Sequence, residues 1–249
     1  MCIRDSLSPL PAIALPLLLA AFAGCASFPP HHPAKRPALA AIIPPPKFFL
    51  AKTAPPPALG STTVTRQVAE IIALQSRATP EKIADARWTY EFSVFTFSIA
   101  LDPSFTAKRY PQTAKFFMEL NDLVEYVNDD LKDTFRDPHP FQVDPRIKRF
   151  VIAIPGYGYP SYHAARCALF ERVLAQLDPA RVAAFGGVAD MVETDRVFAG
   201  EHFPYSIAAG RELGRQIFDE LEKNATFRAS VAQLRQAEWT PPPSARDSF

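Results

Sequence analysis

Two segments decide the reading: IPGYGYPSYHAARCALF at Ile154–Phe170 and DRVFAGEHFPYSIAAGR at Asp195–Arg211. Each places a histidine, His163 or His202, beside a predicted helix boundary, and Arg196 precedes the second histidine by six positions. The first segment runs into a helix over Tyr162–Leu177, with Cys167, Phe170, Val173, Leu174 and Leu177 on one face. Asp178-Pro179 caps a second helix from Ala180 to about Val197, and a third follows from Ile207 to Leu221. Imidazoles and a guanidinium gathered at helix ends suit the binding and transfer of an anion.

The surrounding pattern is also helical. Val64, Val68, Ile71, Ile72 and Leu74 mark an amphipathic helix, and Thr79-Pro80 signals the start of another. Ile83–Leu101 fits either period, and its length and cap favour helix over strand. Phe116, Phe117, Leu120, Leu123, Val124, Val127 and Leu131 form a long core-facing stripe with Lys132 near its end. Phe227–Trp239 reads as a last helix. No βαβ rhythm, internal repeat or glycine-rich phosphate loop interrupts the series, so the fold class is all-α.

The 249 residues carry a formal net charge of +1, which gives no overall field for nucleic acid. Half of the 26 prolines precede Ala58, and that shift divides the chain. Residues 1–25 read as a signal peptide: Leu7–Gly24 is apolar, short for a membrane span and broken by Pro11 and Pro16. Phe22-Ala23-Gly24-Cys25 resembles a bacterial lipobox, which implies lipidation of Cys25, with a plain cleaved signal as the alternative. Residues 26–60 read as a Pro-rich extended linker, with Phe48, Phe49 and Leu50 as candidates to fold back. Residues 61–240 form the domain and 241–249 a tail. Cys167 is the one cysteine of the domain, most simply a small buried hydrophobe.

Four pieces stand in order along the domain: Lys132, then His139-Pro140, then Pro160-Ser161-Tyr162-His163, then Asp195-Arg196 with His202 and Ser206. This order resembles the bacterial class A non-specific acid phosphatases, of the type 2 phosphatidic acid phosphatase and vanadium haloperoxidase superfamily. The AGR-x-LG run at Ala209–Gly214, Tyr159, the PPPALGS entry and the closing helix are similar too. The resemblance implies a single compact helical bundle of the acid phosphatase/vanadium haloperoxidase type. It implies His202 as nucleophile and His163 as the acid for the leaving oxygen. Lys132, Arg196, Ser161, Tyr162 and His139 would bind phosphate. No metal or other cofactor is implied, and phosphate or vanadate could occupy the site.

Four positions depart from that family's pattern. His139 stands for an arginine, Tyr162 for a glycine, Asp195 for a serine and Ser206 for the aspartate that orients the nucleophile. Arg136 is a candidate to replace the lost charge, and Glu201 or Asp195 to replace the lost carboxylate. The expected function is metal-independent phosphomonoester hydrolysis of small phosphorylated substrates through a phosphohistidine, at reduced or altered efficiency. The alternative is an inactive relative that binds phosphate or a partner. Either would sit in the periplasm or cell envelope, its only tie to the membrane an N-terminal lipid anchor.

Overall fold

A computed structural model describes residues 36–152 and 156–240. The leader with Cys25, most of the first half of the linker, and the 241–249 tail lie outside the described residues. The described residues are all-α. The α-helices are α1 (Pro46–Lys52), α2 (Thr62–Gln75), α3 (Pro80–Trp88), α4 (Pro111–Phe135), α5 (Pro140–Val143), α6 (Tyr162–Leu177), α7 (Val182–Phe198), α8 (Pro204–Glu222) and α9 (Ala225–Leu234). None is long and apolar enough to cross a membrane.

Local chemistry explains where the helices start. Ser61, Thr79, Ser161 and Asn224 each accept a hydrogen bond from a backbone N–H of the first turn. Pro80, Pro111, Pro140 and Pro204 open their helices at the position where a missing N–H costs nothing. α7 ends differently. Gly200 has φ +74°, and the Glu201 and His202 N–H groups turn back to the Arg196 carbonyl. That turn fixes Arg196 and His202 relative to each other.

α6 is the hub, packed by α8, α7 and α4. Its side chains are buried on almost every face, as expected of a helix at the centre of a bundle. The core runs from Phe117, Leu120 and Val124 of α4 through Leu169, Phe170 and Leu174 of α6 to Leu213 and Ile217 of α8. Cys167 lies in this core, fully buried, and burial pushes its thiol pKa up. α8 lies unusually close to α6: a Cβ at Gly210 would stand 2.2 Å from the Ser161 carbonyl oxygen, and one at Gly214 equally close to that of Ala165. The Ser161 N–H also donates to the Ser206 carbonyl at 3.1 Å. This close approach brings together the helix starts that carry His163 and Ser206.

Two expectations are corrected. The linker is not wholly extended: residues 38–41 form a 3-10 turn and α1 follows, with Phe49 fully buried in the main core. Proline at the first helical positions opens a helix, and the apolar FFL that follows gives α1 something to bury. Ile83–Leu101 is not one helix. α3 ends at Trp88, and 3-10 segments cover Thr89–Glu91 and Val94–Ile99, with Ser93 and Thr96 forming a capping box between them. The break at Thr89 matters, because it faces the candidate site.

Candidate functional site

The fold gathers Lys132 from the end of α4, His139 from the start of α5, His163 from α6, Arg196 from α7, and His202 from the turn before α8. The His139 and His202 ring centroids lie 5.6 Å apart. All three histidines are buried. Burial drives each pKa down: His139 to about 3, with Lys132 adding to the effect, and His163 and His202 well below the usual imidazole range. The imidazoles are therefore neutral, and the positive charge of the cluster resides on its lysine and arginines.

Hydrogen bonds fix which nitrogen carries each proton. His202 Nδ1 lies 2.8 Å from the Gly158 carbonyl oxygen. A carbonyl only accepts, so Nδ1 holds the proton and Nε2 keeps a free lone pair. Ser206 Oγ donates to the same carbonyl. The orienting acceptor is thus a backbone oxygen. It is neither of the carboxylates expected from the sequence: Asp195 binds Lys82 Nζ and Thr89 Oγ1, and Glu201 binds Arg149. Gly158 sits where a Cβ would meet the Pro138 oxygen at 3.0 Å, so its lack of a side chain lets the carbonyl reach the imidazole.

His139 donates from Nδ1 to the Glu201 carbonyl at 2.6 Å and presents its Nε2 lone pair. It therefore offers an acceptor in place of a cation. Arg136 does not replace the missing charge. Its side chain is exposed and donates to the Asp133 carbonyl. The second cation beside His139 is Arg149, after Lys132. His163 donates from Nε2 to the Tyr90 carbonyl at 3.0 Å and packs against the Tyr90 ring.

Arg196 is fully buried, and its pKa is lowered to about 10 by burial. Nη2 donates to the Ala86 carbonyl and to Thr89 Oγ1 at 2.9 Å, and the guanidinium lies over Tyr90. Nε and Nη1 are buried without a hydrogen-bond partner. Unpartnered N–H groups on a buried cation are costly, and an anion would satisfy them. Ser161 caps α6 through Ala164 N and is fully buried. Tyr162 turns toward Asn121, its hydroxyl donating to Oδ1 at 3.1 Å, with Arg166 over its ring. Ser161 thus supports the cluster through the helix start, while Tyr162 is committed to α4.

Thr89 is a residue that the sequence did not single out. Its hydroxyl donates to Asp195 Oδ2 at 2.8 Å and accepts from Arg196, and Asp195 in turn holds Lys82 at 2.5 Å. Asp195 therefore anchors Arg196 through Thr89. Thr89→Val keeps the shape and breaks this link. It should raise the inorganic phosphate Kd about tenfold, as expected for a charge-assisted bond, with a matching rise in KM. Calorimetric titration checks this; an unchanged Kd with a lower melting temperature would make Thr89 purely structural.

No group of three or more histidine, cysteine, aspartate or glutamate side chains among the described residues is arranged to hold a metal ion. No protein-family model matches the chain, and no curated protein is significantly similar to it.

Proposed function

We propose that the protein is a metal-independent phosphomonoester hydrolase of the acid phosphatase/vanadium haloperoxidase type, acting through a phosphohistidine on His202. One observation carries this reading. A neutral imidazole with a free Nε2 shares a buried cluster with Lys132 and with Arg196, whose Nε and Nη1 lack partners. Such a cluster is complementary to a phosphoryl group, whose negative charge is spread over its oxygens, and its catalysis is mostly positioning and electrostatic stabilisation.

The chemistry runs in two steps. His202 Nε2 attacks phosphorus, the N–P bond forms, and the ester P–O bond breaks with its electron pair on the leaving oxygen. That oxygen takes a proton from water, or from His163 once the bound monoanionic ester has passed its own proton to that imidazole. Water then attacks phosphorus and returns a proton to the base left by the first step, His163 imidazole or hydroxide, while the N–P bond breaks and His202 regains its lone pair as phosphate leaves. The Gly158 carbonyl supports the imidazole while it carries positive charge, though more weakly than a carboxylate would. We place the protein in the periplasm or cell envelope, tethered through Cys25.

A second reading, a phosphate-binding relative without turnover, draws on the bond from His163 Nε2 to the Tyr90 carbonyl, which occupies the proton the acid would give. An aryl phosphate separates the two, because a nitrophenolate leaves without needing an acid. Hydrolysis of p-nitrophenyl phosphate that vanadate blocks and EDTA leaves intact supports the enzyme. Phosphate binding without turnover at any pH would establish the binder, and loss of turnover in EDTA would remove the metal-free mechanism.

A further inference from the structure

Arg149 and Glu201 form a pair that the phosphoryl-transfer steps do not use. Arg149 Nε lies 2.6 Å and Nη2 3.3 Å from the two Glu201 carboxylate oxygens, and both side chains are largely buried. Phe141 fixes the guanidinium, which sits 4.5 Å from the ring centroid. The same ring stacks on His139, which neighbours His202. The pair is therefore joined to the catalytic cluster through packed rings. Glu201 is also the residue just before His202, and its backbone carbonyl holds His139 in place.

Three cations act on this one carboxylate: Arg149, Arg196 and Lys132. Glu201 in turn acts on Lys132, Arg196 and Tyr90. A carboxylate at the focus of an anion site's cations is a chemical stand-in for phosphate, since both accept the same two-pronged bond from arginine. Burial disfavours the charged form of Glu201, so its anion is held there by these cations and is not at home in its surroundings.

We infer that Glu201 is an internal anion competing with substrate, and that the incoming phosphate takes the Arg149 fork from it. This inference rests on the phosphatase reading and names a phosphate-binding residue, Arg149, in the place that neutral His139 leaves without a permanent charge. The exchange breaks no covalent bond. Phosphate oxygens accept from Arg149 as the Glu201 carboxylate releases it, and Arg196 gains partners for its unpaired N–H groups.

Isothermal titration with inorganic phosphate at neutral pH, with p-nitrophenyl phosphate kinetics alongside, tests the exchange. Glu201→Gln keeps shape and backbone while removing the competing charge. Its phosphate Kd and its KM should fall about tenfold, the scale of one charge-assisted contact. Arg149→Met should weaken phosphate by a similar factor, and adding Glu201→Gln to it should bring no further gain. A Glu201→Gln protein that melts as a folded domain yet binds phosphate no better than wild type would overturn the inference alone. Arg149→Met with unchanged phosphate affinity would reduce the pair to a structural tie. If folded wild type neither binds phosphate nor hydrolyses the ester, the phosphatase reading falls and this inference with it.

Discussion

His202→Ala is expected to lose p-nitrophenyl phosphate hydrolysis by at least ~10⁴-fold in kcat, the scale seen when a nucleophile is removed from a covalent mechanism. Inorganic phosphate should still bind within several-fold of wild type, because Lys132 and Arg196 remain. The fold should survive too. Deleting a buried ring costs on the order of 3–5 kcal/mol at most, and Ser206 still donates to the Gly158 carbonyl that His202 leaves. His202→Gln, closer in volume, should show the same kinetic loss with a smaller drop in stability. Single-turnover kinetics and titration calorimetry read both effects. A variant that retains turnover would assign the nucleophile elsewhere.

Gly210→Ala, like Gly214→Ala, should be among the most damaging single-methyl changes in the bundle. The new Cβ would sit 2.2 Å from the Ser161 carbonyl oxygen and 3.1 Å from the Ala164 Cβ. A backbone oxygen at a capped helix start cannot swing aside, so α8 must move off α6. Overpacking of this kind costs about 3 kcal/mol, and at 2–4 °C per kcal/mol for a domain of this size the melting temperature should fall by roughly 6–12 °C. Activity should fall as well, since α6 carries His163 and α8 begins just after His202. Gly186 in α7 provides the contrast. A Cβ there meets nothing within 4 Å, and alanine is the better helix former by about 1 kcal/mol, so Gly186→Ala should be neutral or stabilising. Thermal melts of the two variants side by side check the close approach of α6 and α8. Equal melting temperatures would contradict it.

Much of the fold is legible because helix periodicity and caps are local. Leu120, Leu123, Val127 and Leu131 mark the buried stripe of α4, and Thr79-Pro80 and Ser161 announce the starts of α3 and α6. The break after Trp88 is not legible in the same way. Ile83, Tyr90, Val94 and Phe97 satisfy a helical period, while the Ser93–Thr96 capping box that opens the second 3-10 segment is a side-chain pairing the period does not reveal. α1 was obscured by its prolines, whose effect depends on position within the helix.

The candidate site divides along the same line. Its side chains, Lys132, His139, His163, Arg196 and His202, stand in a readable order, and the fold brings them together. Its supporting shell does not follow from residue type. A backbone carbonyl at Gly158 meets His202 where a carboxylate was sought, and such a group leaves no mark in composition. Asp195 turns to Thr89 and Lys82, and Arg149 pairs with Glu201 beside His139, through contacts between segments far apart in sequence. Glu201 was visible as a carboxylate next to His202, but its partner was not.

The bond proposed between phosphorus and His202 Nε2 is open to direct measurement. Wild-type protein mixed with a p-nitrophenyl phosphate excess, quenched in base within a turnover and digested, should yield a peptide carrying one phosphoryl group on His202 by mass spectrometry. Acid should remove that group, and His202→Gln should not carry it. Nitrophenolate release from a folded enzyme with no phosphohistidine on this peptide, or with the phosphoryl group on another residue, would contradict the account.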